Sequence, residues 1–154
     1  DPKLAEEQPA TDVLVAAVRK QDAAEASFGL LEGPMGAAGA AVLYDLSFDQ
    51  KVPVATRRRA QKWVVLSPEF MKVASPSVAV AAQLRYAKSC SDPHSLMARA
   101  GDVGDRRALA YLEIARSHGG CGRRGKDDCF PCLRKDDALK NAIAAIEKRL
   151  AEKR

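Results

Sequence analysis

Three of the four cysteines of this chain fall between residues 121 and 132, and this cluster constrains the fold more than any other feature. An even number of clustered cysteines fits two disulfides in an oxidising compartment, or one metal site in a reducing one. The surrounding stretch, Gly119-Gly120-Cys121-Gly122-Arg123-Arg124-Gly125, holds four glycines in seven residues and reads as a loop. The Cys-rich loop is therefore placed at 118–134, and whatever its cysteines bind must tie it to the rest of the chain.

Three readings of the cluster follow. In the first, Cys90, Cys121, Cys129 and Cys132 form two disulfides. Helices end near Cys90 and Cys121, and if they stack as equivalent members of successive pairs, Cys90 approaches Cys121 and Cys129 is left for Cys132. The other two connectivities stay open, because sequence alone cannot choose among them. A bridge from Cys90 would stabilise by roughly 3–4 kcal/mol in the chain-entropy picture. In the second reading His118, Cys121, Cys129 and Cys132 ligate zinc, with Cys90 able to replace His118; one imidazole and three thiolates suit a tetrahedral site. In the third, Cys129-Phe130-Pro131-Cys132 is a redox pair. That chemistry wants a thiolate at a helix start within a βαβ unit, and no strand is expected here. The disulfide reading leads.

The rest of the chain reads as helices. Alanine takes 28 of the 154 positions while aromatics are only 5%, a balance that favours closely packed helices over strands. Residues 1–10 carry two prolines and read as a linker; residues 11–154 read as a single α-helical domain. Thr11 is a cap for a helix from Asp12 to about Ser27. Further helices are expected at about 35–46, with Gly36 and Gly39 weakening it or allowing close backbone approach, and at 53–66, with the Arg triplet on one side and Trp63 on the other. Ser67-Pro68 and Ser75-Pro76 each place a proline at a first helical position, opening a short helix around Phe70 and a longer one to about Ser89. Others are expected at about 92–100 and 106–117, the latter opened by Asp105. Leu139, Ile143, Ile146 and Leu150 form a clean apolar stripe on a last helix over 136–152. The expected architecture is all-α: a degenerate HEAT-like stack of seven or eight short helices in pairs, with the Cys-rich loop and a C-terminal amphipathic helix.

Charge and motifs exclude more than they select. The net charge is +5. Two basic knots stand out: Arg57, Arg58, Arg59 and Lys62, and then Arg123, Arg124 and Lys126. With zinc, they would make a cytosolic module that binds nucleic acid or an acidic protein. Interleaved acids such as Asp127, Asp128, Asp136 and Asp137 dilute the field, and no aromatic ladder offers base stacking, so nucleic acid is not the favoured partner. His94 reads as an exposed surface residue. Gly33-Pro34-Met35-Gly36-Ala37-Ala38-Gly39 lacks the Gly-Lys-Ser/Thr of a phosphate loop. No hydrolase elbow or metalloprotease pair occurs. No catalytic residue and no cofactor are expected. The chain starts at Asp1, without a secretory signal, and reads as a processed product or a piece of a longer protein.

Several stretches together resemble the C-terminal region of many myxobacterial serine/threonine protein kinases. They are Ala41-Val42-Leu43-Tyr44-Asp45-Leu46, Ser67-Pro68-Glu69-Phe70, Leu84-Arg85-Tyr86-Ala87-Lys88-Ser89-Cys90, Gly104-Asp105-Arg106-Arg107-Ala108-Leu109, Gly120-Cys121-Gly122, Asp128-Cys129-Phe130-Pro131-Cys132-Leu133-Arg134 and Ala142-Ile143-Ala144-Ala145-Ile146-Glu147. The resemblance spans about residues 35–150, and its Cys-rich end is the most specific part. It implies a kinase domain upstream, often a membrane segment after it, and a C-terminal part outside the cytoplasm. The kinase motifs themselves are absent from this chain. The expectation is a non-catalytic extracytoplasmic interaction or sensor module with a protein or peptide partner, stapled by two disulfides.

Overall fold

The structure, a computed structural model, describes residues 8–18, 20, 23–87, 89–117 and 119–152. Among these residues the fold is all-α: ten α-helices and one 3-10 helix, with no strand. The expected linker lies outside the described residues up to position 7, and residues 8–10 already belong to the first helix. Contacts gather the chain into two compact units, one ending at Ser75 and the other beginning at Pro76.

The first unit holds α1 (Gln8–Val18), α2 (Ala24–Glu32), α3 (Gly36–Leu46), α4 (Val54–Leu66) and α5 (Pro68–Val73). The single helix expected over 12–27 is two helices. The N–H groups of Lys20 and Ala23 bond three residues back, to Ala17 and Lys20, and α1 and α2 pack against one another. Folding back is what lets Val18, Phe28 and Leu31 share one core, each 2% exposed or less. Helix α3 packs on α2, α4 and α5. Gly39 permits its approach to α2: a Cβ there would stand 2.2 Å from the Leu31 carbonyl oxygen. Pro53 stands one residue before α4 and not at its first helical position as the sequence suggests, while Pro68 opens α5 as expected. Trp63 meets buried Phe70 edge-on at 5.5 Å.

The second unit holds α6 (Pro76–Arg85), α7 (Ser91–Ser95), α8 (Met97–Val103), α9 (Arg106–Arg116), a 3-10 helix (Pro131–Arg134) and α10 (Ala138–Glu152). Helix α6 buries Val78, Ala79, Val80, Ala81, Ala82 and Leu84, and a helix apolar on nearly all sides belongs at the centre of a unit. It packs on α7, α8 and α9, while α10 covers α8 and α9. The α10 stripe is as expected for Leu139, Ile143 and Ile146, all buried. The Asp105 carboxylate caps α9 by accepting from the Arg107 N–H at 2.8 Å. The helix expected over 92–100 divides at Leu96, whose N–H bonds Pro93 three residues back. Arg149 closes the end of α8 by donating to the carbonyl of Gly101 at 2.7 Å and to that of Gly104.

Candidate functional site

All four cysteines are bridged: Cys90 to Cys132 and Cys121 to Cys129, with Cα separations of 5.8 and 5.1 Å. The pairing differs from the one that equivalent helix stacking suggests. The local geometry explains it. Cys121 and Asp127 pair as an antiparallel bridge, each N–H reaching the other's carbonyl at 3.0 Å. That folds the glycine loop back on itself and delivers Cys129 to Cys121. Pro131 then opens the 3-10 helix, which packs on α7 and carries Cys132 to Cys90.

The loop's turns require its glycines. Gly120, Gly122 and Gly125 have φ of 114°, 73° and 63°, a region that disfavours other residues. At Gly122 a Cβ would fall 1.7 Å from an Asp127 carboxylate oxygen. The Gly125 N–H closes a turn onto the Gly122 carbonyl at 3.2 Å, leaving Arg123 and Arg124 at its centre.

One side chain anchors the loop's far end. Arg134 donates to the carbonyls of Ala115 and Ser117 at 2.7 and 2.8 Å, and to Asp128 at 3.1 Å. It thus caps the last turn of α9 and holds Asp128, which in turn accepts from the Phe130 N–H at 2.8 Å. Phe130 lies edge-on to Tyr111 at 5.8 Å, and Leu133 is buried. Burial pushes the Tyr111 hydroxyl above its ordinary pKa, with Arg85 opposing. Sequence reasoning missed Arg134 and Arg149. Both are carbonyl clamps, and a lone arginine carries no periodic signal for such a role.

His94 is half-exposed and not simply on the surface: its Nε2 lies 3.0 Å from an Asp136 carboxylate oxygen. The other Asp136 oxygen accepts from the Ala138 N–H at the start of α10. That backbone bond first, and His94 second, hold the Asp136 carboxyl below its ordinary pKa.

The zinc and redox readings meet the same obstacle. A bridged sulfur is not a thiolate ligand, so Cys121, Cys129 and Cys132 are unavailable to metal, and His118 lies outside the described residues. Cys129 and Cys132 belong to different bridges, so their Cys-x-x-Cys is not a redox couple.

Arg57, Arg58, Arg59 and Lys62 belong to the first unit, and Arg123, Arg124 and Lys126 to the second. Arg57 bonds Gln50. Arg59 stacks 4.2 Å above the Phe28 ring and pairs with Glu25 and Glu32. Burial alone would lower the Arg59 pKa, but the two carboxylates raise it above the ordinary value. Trp63 shares a face with Arg59 of the triplet: it lines a cleft of about 480 Å³ with Arg59, Lys62, Glu32, Leu66 and Ser67. A more apolar cleft of about 450 Å³ lies between Val18, Phe28, Pro53, Thr56 and Arg59.

Among the described residues no helix is long and apolar enough to cross a membrane. Comparison with known protein families, curated proteins and solved structures found no match. Fold and site define an all-α protein with a disulfide-stapled loop, a state in keeping with an oxidising environment.

Proposed function

We propose that this chain is a non-catalytic, extracytoplasmic protein-interaction or sensor module, the C-terminal part of a bacterial signalling kinase. The two disulfides carry the reading. Such bridges persist in oxidising compartments and are rare in the cytosol, and here one closes the glycine loop on itself while the other ties its far end to the start of α7. The helix pairs offer faces for a protein or peptide, as stacked helical repeats do. Helix α4 leaves Val65 and Leu66 46% and 68% exposed beside Lys62.

The test has two parts. Natively purified protein is weighed intact, with and without a thiol-alkylating agent, and zinc is measured on the same sample. The expected mass is lower by a pair of hydrogens for each bridge, with no alkylation and no zinc. An amine-reactive reagent that cannot cross the inner membrane should then label the chain in intact source cells. Free thiols with bound zinc, or labelling only after lysis, would overturn the proposal.

A further inference from the structure

The loop between Cys121 and Cys129 is tightly constrained although it lies outside the core. Residues 121–127 are all exposed, and the half-buried Asp128 is occupied by Arg134. The segment adds no buried side chain. Yet a disulfide, a two-bond antiparallel pairing, a closed turn and two glycines at positive φ, Gly122 and Gly125, fix its shape. A segment that adds nothing to the core but has one enforced conformation is shaped for contact outside the molecule, because preorganisation lowers the entropy lost on binding.

What it presents is charge. Arg123 and Arg124 sit at the two central positions of the turn, and Lys126 follows. Among the described residues none of the three has a hydrogen-bond or ion-pair partner. We infer that this tip is the docking element of the module proposed above, on which the inference rests, and that its partner is an acidic polypeptide segment. Guanidinium forks match carboxylates in shape as well as in charge. The field is compact: Asp127 lies exposed at the base of the tip, where a long polyanion laid across it would meet a like charge. From Gly122 to Asp128 there is no apolar side chain to enter a bilayer and no aromatic ring to stack on bases. A short cluster of carboxylates fits the tip better than a membrane, a nucleic acid or a glycan chain.

The test uses the full chain, its bridges first verified by intact mass, and a fluorescein-labelled oligoglutamate peptide read by anisotropy at low salt. The wild type should bind. R123Q/R124Q should weaken binding about tenfold. K140Q/K148Q, which removes the same charge from exposed positions on α10, should change it about twofold or less. C121S/C129S keeps every charge and frees the tip, and should weaken binding about threefold. Three results would overturn the inference: no binding with both bridges intact, an equal loss in K140Q/K148Q, or tighter binding to heparin, duplex DNA or phosphatidylglycerol vesicles. Failure with the bridges intact sinks the docking tip alone; free thiols in the native sample sink the module reading itself.

Discussion

Replacing Cys90 and Cys132 by serine should produce the largest loss of stability available outside the core. The bridge joins residues 42 apart, and closing a loop of that length removes chain entropy worth about 4 kcal/mol from the unfolded state. The second bridge spans a separation of only 8, for which the same relation gives about 2.6 kcal/mol. The first bridge also holds the 3-10 helix, and so keeps Leu133 in the core at 3% exposure. Urea denaturation followed by far-ultraviolet circular dichroism measures both double variants against the wild type. C90S/C132S should lose about 3–4 kcal/mol and melt roughly 6–16 °C lower, and C121S/C129S should lose less. A loss under about 1 kcal/mol in C90S/C132S, or the reverse ranking, would refute the reasoning, since loop length would then not set the effect.

Three further outcomes follow from single contacts. Arg134→Ala removes two bonds to backbone carbonyls and two to the Asp128 carboxylate at a half-buried position, and should destabilise by about 2–3 kcal/mol in the same urea assay; Asp128→Asn should lose less, since both backbone carbonyls keep their donor. Gly39→Ala places a methyl 2.2 Å from the Leu31 carbonyl, so α2 and α3 must separate, and the melt should show about 1–3 kcal/mol of destabilisation where a helical Gly→Ala change ordinarily stabilises. Asp136 has a folded pKa below its ordinary 3.8, so its contribution is present above that value and is lost as pH falls through the folded one. The urea midpoint should accordingly fall less steeply between pH 5 and pH 2 in Asp136→Asn than in the wild type; equal slopes would remove Asp136 from the acid response.

The sequence by itself determined the class of fold and several of its boundaries. Alanine in place of β-branched and aromatic residues selects helix, Pro53 and Pro68 mark helix starts through a fixed φ, and Asp105 caps α9 because its carboxylate reaches the Arg107 N–H. The stripe of Leu139, Ile143 and Ile146 declares its buried face by spacing alone. All of these signals are local, acting within a turn or two. That the chain carries two bridges could be anticipated from the number and clustering of its cysteines. Which cysteine meets which could not. Stacking of equivalent helices points to Cys90 with Cys121, but the Cys121–Asp127 pairing and the 3-10 turn at Pro131 bring Cys129 and Cys132 to other partners. The break between α1 and α2 is likewise decided by burial of Phe28 and Leu31, which no residue at the break announces. Arg134 and Arg149 satisfy carbonyls 17 to 48 residues away. Tertiary structure alone decides such matters, because the partners are close in space and distant in sequence, and no local pattern encodes a distance that only the folded chain creates.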